Sequence, residues 1–173
     1  MTRKCMRGAY VVEFAIIGSL LFVVLLGVLE MGRLYFTVNT MDEVVRRGAR
    51  LAAVCDIKDP HILHRAMFNA AGSGGSSSLI VNLDENHLKL EYFNKDGLQV
   101  MTPNDLTTAA GFRAIRYVQL RVEKFPFNLL IPIPGFNGAI TLPTFQSTFP
   151  RESLGRHAEG PQVGETKPGI TKC

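Results

Sequence analysis

Residues 14–29 read FAIIGSLLFVVLLGVL, sixteen residues without a charge. Carried back through AYVVE to Ala9, the stretch grows to twenty-one residues, and Glu13 is its one charged side chain. A helix rises about 1.5 Å per residue, so ~20 residues cover a hydrocarbon core of roughly 30 Å. The stretch therefore predicts a membrane-spanning helix. A cleaved secretory signal fits less well: its apolar region usually has ~7–15 residues, and Leu29-Glu30-Met31-Gly32-Arg33 offers no small-residue cleavage site. A buried core helix also fits less well, because Leu20 to Leu26 is apolar on every face and little chain is left to surround it. Arg3, Lys4 and Arg7 crowd the N-terminal flank, which predicts a cytoplasmic N-terminus and a C-terminal body outside the cytoplasmic membrane.

The remainder bounds the function. At 173 residues the chain holds one modest domain beside an anchor. With 46% hydrophobic and 20% charged residues it is not a disordered chain. The net charge is +4, but three of the cations lie in the first eight residues, so the body is close to neutral and no nucleic-acid partner is expected. Three cysteines, Cys5, Cys55 and Cys173, are too few for a disulfide scaffold and lack CxxC spacing for zinc.

Past Arg33 the pattern turns amphipathic. Leu34, Val38, Met41, Val45, Gly48, Ala52 and Cys55 follow one another at steps of four and three, a heptad-like apolar seam. Asp42 with Arg46, and Glu43 with Arg47, stand at i,i+4 with the acid first, the favourable order. No proline occurs before Pro60, so one helix from about Ala9 to Cys55 is predicted; a membrane helix hinged near Gly32 to a separate docking helix is the alternative. Gly48, Ala49, Ala52 and Ala53 suit close packing against another element, within the chain or in an assembly.

Four clusters in this helix carry a family resemblance: Arg7-Gly8; Val12-Glu13-Phe14-Ala15; Gly27-Val28-Leu29-Glu30-Met31-Gly32-Arg33; and Arg47-Gly48-Ala49-Arg50-Leu51-Ala52-Ala53. Together they resemble the TadE-like family, minor pilins or pseudopilins of the tight-adherence (Tad/Flp) pilus machinery. The sequence departs from the family in having Gly18-Ser19 where a proline is common, and in lacking the length of members with an adhesion-type domain. The resemblance implies a bacterial inner-membrane protein taking part in assembly of a type IVb/IVc pilus, single-pass, with a periplasmic head, and able to enter the extracellular fibre. It implies no enzyme activity. The implied partners are other pilin and pseudopilin subunits, a prepilin peptidase and the inner-membrane assembly platform. It implies processing between Gly8 and Ala9, and packing roles for Glu13 and Phe14. The alternative function is a signal-anchored envelope protein with a ligand- or partner-binding head unrelated to pili.

Elementary chemistry bears on the same residues. A carboxylate at mid-membrane costs ~2.5–3.5 kcal/mol on insertion scales, and less near the boundary. A cut after Gly8 gives Ala9 a free α-amine near the level of Glu13, which then pairs with the Glu13 of a neighbouring helix, or else Glu13 snorkels to the headgroups. Removing residues 1–8 also removes Cys5. Cys55 and Cys173, both outside the cytoplasm on this orientation, are then expected to form a disulfide; a small buried Cys55 or an intermolecular bond through Cys173 are the alternatives.

The expected fold class is α+β: a long N-terminal helix and a small, mainly antiparallel, pilin-like head. The expected divisions are a leader at 1–8, a stalk helix at 9–55, a head at 56–150 and a polar, mobile tail at 151–173. Within the head, Asp59-Pro60 predicts a capped helix to about Ala71. Residues 72–78, GSGGSSS, read as a flexible connector without the G-K-[ST] ending of a phosphate loop. Strands are expected at Ser78–Leu83, His87–Phe93, Leu98–Met101 and Ala139–Leu142, the last extending to Phe149. The clearest strand is Arg116–Lys124, where Val118, Leu120 and Val122 alternate with Gln119, Arg121 and Glu123. Phe125–Pro134 is apolar and broken by prolines; it reads as a loop covering the core, or as an exposed contact surface for another subunit. His61 and His64, with Asp56 and Asp59 nearby, lack a firm third ligand for a metal, and no catalytic motif or cofactor site is recognised.

Overall fold

A computed structural model of the protein describes residues 7–57, 59–70, 75–131, 138–156 and 173. Helix α1 runs Arg7–Val54 and α2 runs Pro60–Ala66. Five strands follow: β1 Leu88–Phe93, β2 Tyr117–Val122, β3 Pro126–Asn128, β4 Ala139–Thr141 and β5 Phe145–Pro150. The fold is α+β, as the sequence predicts. Helix α1 has 48 residues, the longest element of the described residues. The chain divides into two compact units, Met1–Phe36 with Phe127–Ile140, and Thr37–Pro126 with Thr141–Cys173.

The second unit is the head. Its sheet has the order β1-β2-β5 and is antiparallel throughout. The alternation in β2 is realised residue by residue: Val118, Leu120 and Val122 are fully buried, while Gln119 and Arg121 lie on the opposite face. On that wet face Arg121 pairs with Glu91 at 3.0 Å, Lys89 with Glu123 at 3.0 Å, and Gln119 donates to Thr148 at 2.9 Å. The Lys89 bond holds the Glu123 carboxyl below its ordinary range. The buried face joins a core of Ala52, Cys55, Ile57, Ile62, Tyr92, Val100, Phe112, Ile115, Val118 and Leu154. Cys55 and Cys173 are disulfide-bonded within this core region, with their Cα atoms 5.6 Å apart.

Several predicted elements differ. Ser78–Leu83 is a folded turn, not a strand. Ser77 N donates to Leu83 O at 2.7 Å, and the Ser77 hydroxyl accepts from the amides of Leu79 and Ile80, which closes the segment on itself. Only Ile80 and Leu83 bury there, three residues apart, a spacing a strand does not produce. Leu98–Met101 forms one bridge, Phe93 with Gln99, instead of a strand. The Asn94 side chain accepts from the amides of Asp96 and Leu98, so the chain turns tightly there and leaves the β1 edge soon after Val100. Helix α2 stops at Ala66, short of the expected end, because Phe68 adopts a left-handed φ of 64°. The strand expected from Ala139 to Phe149 is two, β4 and β5, separated at Leu142–Thr144. Part of the proline-rich loop is strand β3, paired with β4.

The connector is also more ordered than its composition suggests. Residues 71–74 lie outside the described residues, but Ser77 donates from its hydroxyl to Met67 O at 2.8 Å, and Asn69 bonds Ser76 O and the Ser78 amide. The expected mobile tail gives way over its first residues. Leu154 is fully buried, and the segment around it caps α1. The amides of Glu152 and Leu154 donate to Ala53 O at 3.1 and 3.2 Å; Gly155 N donates to Val54 O at 2.6 Å, joined by the Ser153 hydroxyl at 2.9 Å. These are carbonyls that a helix C-terminus leaves without intrahelical partners. Gly155 is required there: its φ is +73°, and a Cβ would lie 2.5 Å from Asp56 N. Residues 157–172 of the expected tail lie outside the described residues.

Candidate functional site

The candidate site is helix α1 itself, which two different environments divide. From Tyr10 to Leu29 nearly every apolar side chain is exposed, including Phe14 at 78% and Phe22 at 66%. Such a surface is stable only against lipid or another apolar body. The helix is long and apolar enough to cross a membrane, and none of its most apolar window is covered by the rest of the chain. That pattern is unlike a core helix, whose apolar faces are buried. It is compatible with a single-pass membrane anchor.

Of the residues singled out in sequence, Gly8 and Ala9 fall in the first turn of α1. Residues 1–6, with Arg3, Lys4 and Cys5, lie outside the described residues. Glu13 is exposed and makes no ion pair among the described residues. Its neighbour Phe14 projects as the most exposed aromatic of the span. A Cβ added at Gly18, Gly27 or Gly32 would meet nothing within 4 Å among the described residues. The Ser19 hydroxyl donates back to Ile16 O at 2.9 Å, which satisfies the one hydroxyl within the uncharged run.

The span ends at a polar collar. Glu30 and Arg33 form an i,i+3 pair at 3.0 Å. The β3–β4 hairpin closes on this collar within the same unit: Leu130 N donates to Glu30 Oε2 at 3.3 Å, and the Arg33 guanidinium lies 5.4 Å from the centre of the Phe127 ring. Glu30 and Arg33, two residues of the motif clusters, thus hold a segment about a hundred residues away.

Past Phe36 the helix belongs to the head and its seam is covered. Met41, Val45, Gly48, Ala52 and Cys55 are buried, as the heptad spacing predicts, while Leu34 and Val38 at the start of the seam are only half-buried. A second row, Val44, Ala49 and Ala53, is buried beside them, so the covered stripe is wider than a strict coiled-coil seam. Gly48 sets the closest approach: a Cβ there would overlap Leu120 Cδ2 and lie 2.9 Å from Ala66 Cβ. The small residues of this motif therefore seat the helix against β2 and α2 of its own head. The motif arginines flank the seam. Arg47 stacks over Phe68 at 5.2 Å and Arg50 over Phe149 at 5.4 Å.

His61 and His64 serve the head's architecture. Asp59 Oδ1 accepts from His61 N as the N-cap of α2, and Asp59 Oδ2 accepts from Cys173 N at 3.0 Å. His64 Nε2 meets Glu85 Oε1 at 2.8 Å, while the His61 and His64 rings stand edge to face. Among the described residues no group of three His, Cys, Asp or Glu side chains is placed to hold a metal ion.

Comparison with known proteins bears on helix α1, across both of its environments. Residues 8–50 match the family model described as TadE-like protein, from the first turn of α1 to the point where its seam is seated in the head. No curated protein and no solved structure matches the chain. The matched segment ends before α2 and every strand of the head, so the similarity to the TadE-like family is carried by the helix.

Proposed function

We propose that the protein is a membrane-anchored minor pilin, or pseudopilin, that takes part in assembling a Tad/Flp-type pilus. The observation that carries this reading is helix α1: its TadE-like segment has an uncovered apolar first half and a second half seated in a folded head. A helix built this way can leave lipid and pack against other subunits' helices without disturbing the head's core. The role is structural. In this reading the basic residues Arg3, Lys4 and Arg7 stay cytoplasmic, a prepilin peptidase cuts after Gly8, and the head lies in the periplasm. The Cys55–Cys173 bond suits that oxidising side of the membrane.

Assembly then turns on Glu13 and Phe14. The new α-amine of Ala9 on one subunit pairs with the Glu13 carboxylate of its neighbour, and Phe14 fills the space between adjacent helices. Glu13 is exposed in the single chain, as a group awaiting an intermolecular partner must be. The inner-membrane platform and other pilins supply the partners. Replacing Glu13 with Gln keeps the shape and removes the charge. Membrane insertion should be unchanged or easier, because a charge in hydrocarbon is unfavourable. Crosslinking to partner pilins and piliation should fall. Normal crosslinking and normal piliation in Glu13→Gln would refute the pairing, and an intact mass beginning at Met1 in membrane-extracted protein would refute the processing step.

A further inference from the structure

From Phe125 to Pro150 the sequence carries no charged residue, twenty-six in a row, and the described residues of this stretch form short strands rather than a membrane-length helix. Solubility alone does not produce such a run on a surface hairpin, where interspersed charges are the rule. Its first aromatics, Phe125 and Phe127, are buried. The arms beyond them are different: Leu130 is 71% exposed, Leu129 and Ile131 are half-buried, and Ala139 on the return strand is exposed. The hairpin is closed by Leu129 N donating to Gly138 O at 2.8 Å. It is also tethered, because Leu130 N donates to Glu30, the first charged residue after the apolar span.

The tether fixes what the exposed leucine meets. Glu30 stands one residue past Leu29, the last residue of the uncharged run. A side chain held at that level lies at the boundary between acyl chains and headgroups, where apolar groups insert ~5–10 Å. We propose that residues 129–131 of the β3–β4 hairpin are a second lipid contact, inserting into the interface of the leaflet from which α1 emerges. This rests on α1 spanning the membrane. The Glu30–Arg33 pair would sit at headgroup level, with Arg33 stacked on Phe127 as the hinge of the contact. The consequence is a two-point attachment, which restrains rotation of the first unit about its own helix axis.

The chain contains no tryptophan, so single-tryptophan variants report one site each. The full chain would be reconstituted in vesicles of phosphatidylcholine and phosphatidylglycerol carrying brominated acyl chains. Three variants suffice: Leu130→Trp at the contact, Met101→Trp at an 80% exposed position of the head, and Phe22→Trp in the span. The expected result is bromine quenching of Leu130→Trp about twofold or more above Met101→Trp, strongest with bromines near the headgroups, as the interfacial depth of ~5–10 Å requires. Phe22→Trp should be quenched most by bromines deep in the chain. If Phe22→Trp is quenched and Leu130→Trp matches Met101→Trp, the hairpin contact is overturned while the span stands. If Phe22→Trp is not quenched, the spanning reading fails and the hairpin assignment fails with it. A blue shift of Leu130→Trp that grows with protein density, without bromine quenching, would assign the surface to a second protein chain and overturn the lipid contact.

Discussion

The same substitution, glycine to alanine, should have different consequences at two points of one helix. At Gly48 an added Cβ would overlap Leu120 Cδ2 and stand 2.9 Å from Ala66 Cβ. Leu120 can swing its terminal methyl only into packed surroundings, since it is fully buried; Ala66 has no rotamer to change, so α2 must move with its backbone. Overpacking of this kind costs about 1–3 kcal/mol. Against it stands the helix propensity of alanine over glycine, about 1 kcal/mol in the other direction. Two immobile neighbours put the overlap in the upper part of that range, about 2–3 kcal/mol, so the net for Gly48→Ala is a loss of roughly 1–2 kcal/mol. For a head of this size that lowers Tm by roughly 3–8 °C. Gly32→Ala, with nothing within 4 Å, carries no overlap and should leave the head's Tm unchanged. The assay is thermal unfolding of the detergent-solubilised full chain, followed by near-ultraviolet circular dichroism of the buried Tyr92. A stabilised Gly48→Ala, or equal shifts at Gly48 and Gly32, would refute the close approach of α1 to β2 and α2.

Three further outcomes are expected. Leu154→Ala removes a fully buried side chain from the segment that caps α1 and should cost about 2–5 kcal/mol in denaturant unfolding; a loss under about 0.5 kcal/mol would mean that the segment after Pro150 is not part of the core. Hydrogen bonds from the side chains of Thr107 and Thr108 lower the Asp105 carboxyl to about 2, so these bonds are fully present above the unfolded value near pH 4 and are lost as pH falls toward 2. Amide exchange across residues 102–112 should accelerate in that window in the native chain, and Asp105→Asn should remove the pH dependence. Paired Cys55→Ser and Cys173→Ser substitutions open a loop with a sequence separation of 118, for which chain entropy gives up to about 4.7 kcal/mol of lost stability; unchanged denaturation midpoints with and without reductant would refute a bond at this place.

Local periodicity is legible in the amino-acid sequence by itself. The apolar run at 14–29, the seam from Met41 to Cys55 and the alternation in β2 each repeat within a few residues, because helix and strand geometry alone set which side chains share a face. The motif clusters around Glu30 and Gly48 are legible too, but not what they touch. Only the tertiary structure decides that Glu30 holds the Leu130 amide a hundred residues on, and that Gly48 seats Leu120. It likewise decides that Glu152–Gly155, a polar stretch by composition, closes the carbonyls at the end of α1. Ser78–Leu83 shows the opposite failure: β-prone residues are drawn into a turn by the Ser77 side chain and by Ile80 and Leu83 reaching the core three residues apart. These are pairings between distant segments, and their free energy comes from partners that no window along the chain contains. Sequence thus determines an apolar helix with a seam and an alternating strand; the folded chain decides which surfaces those elements cover and which they leave bare.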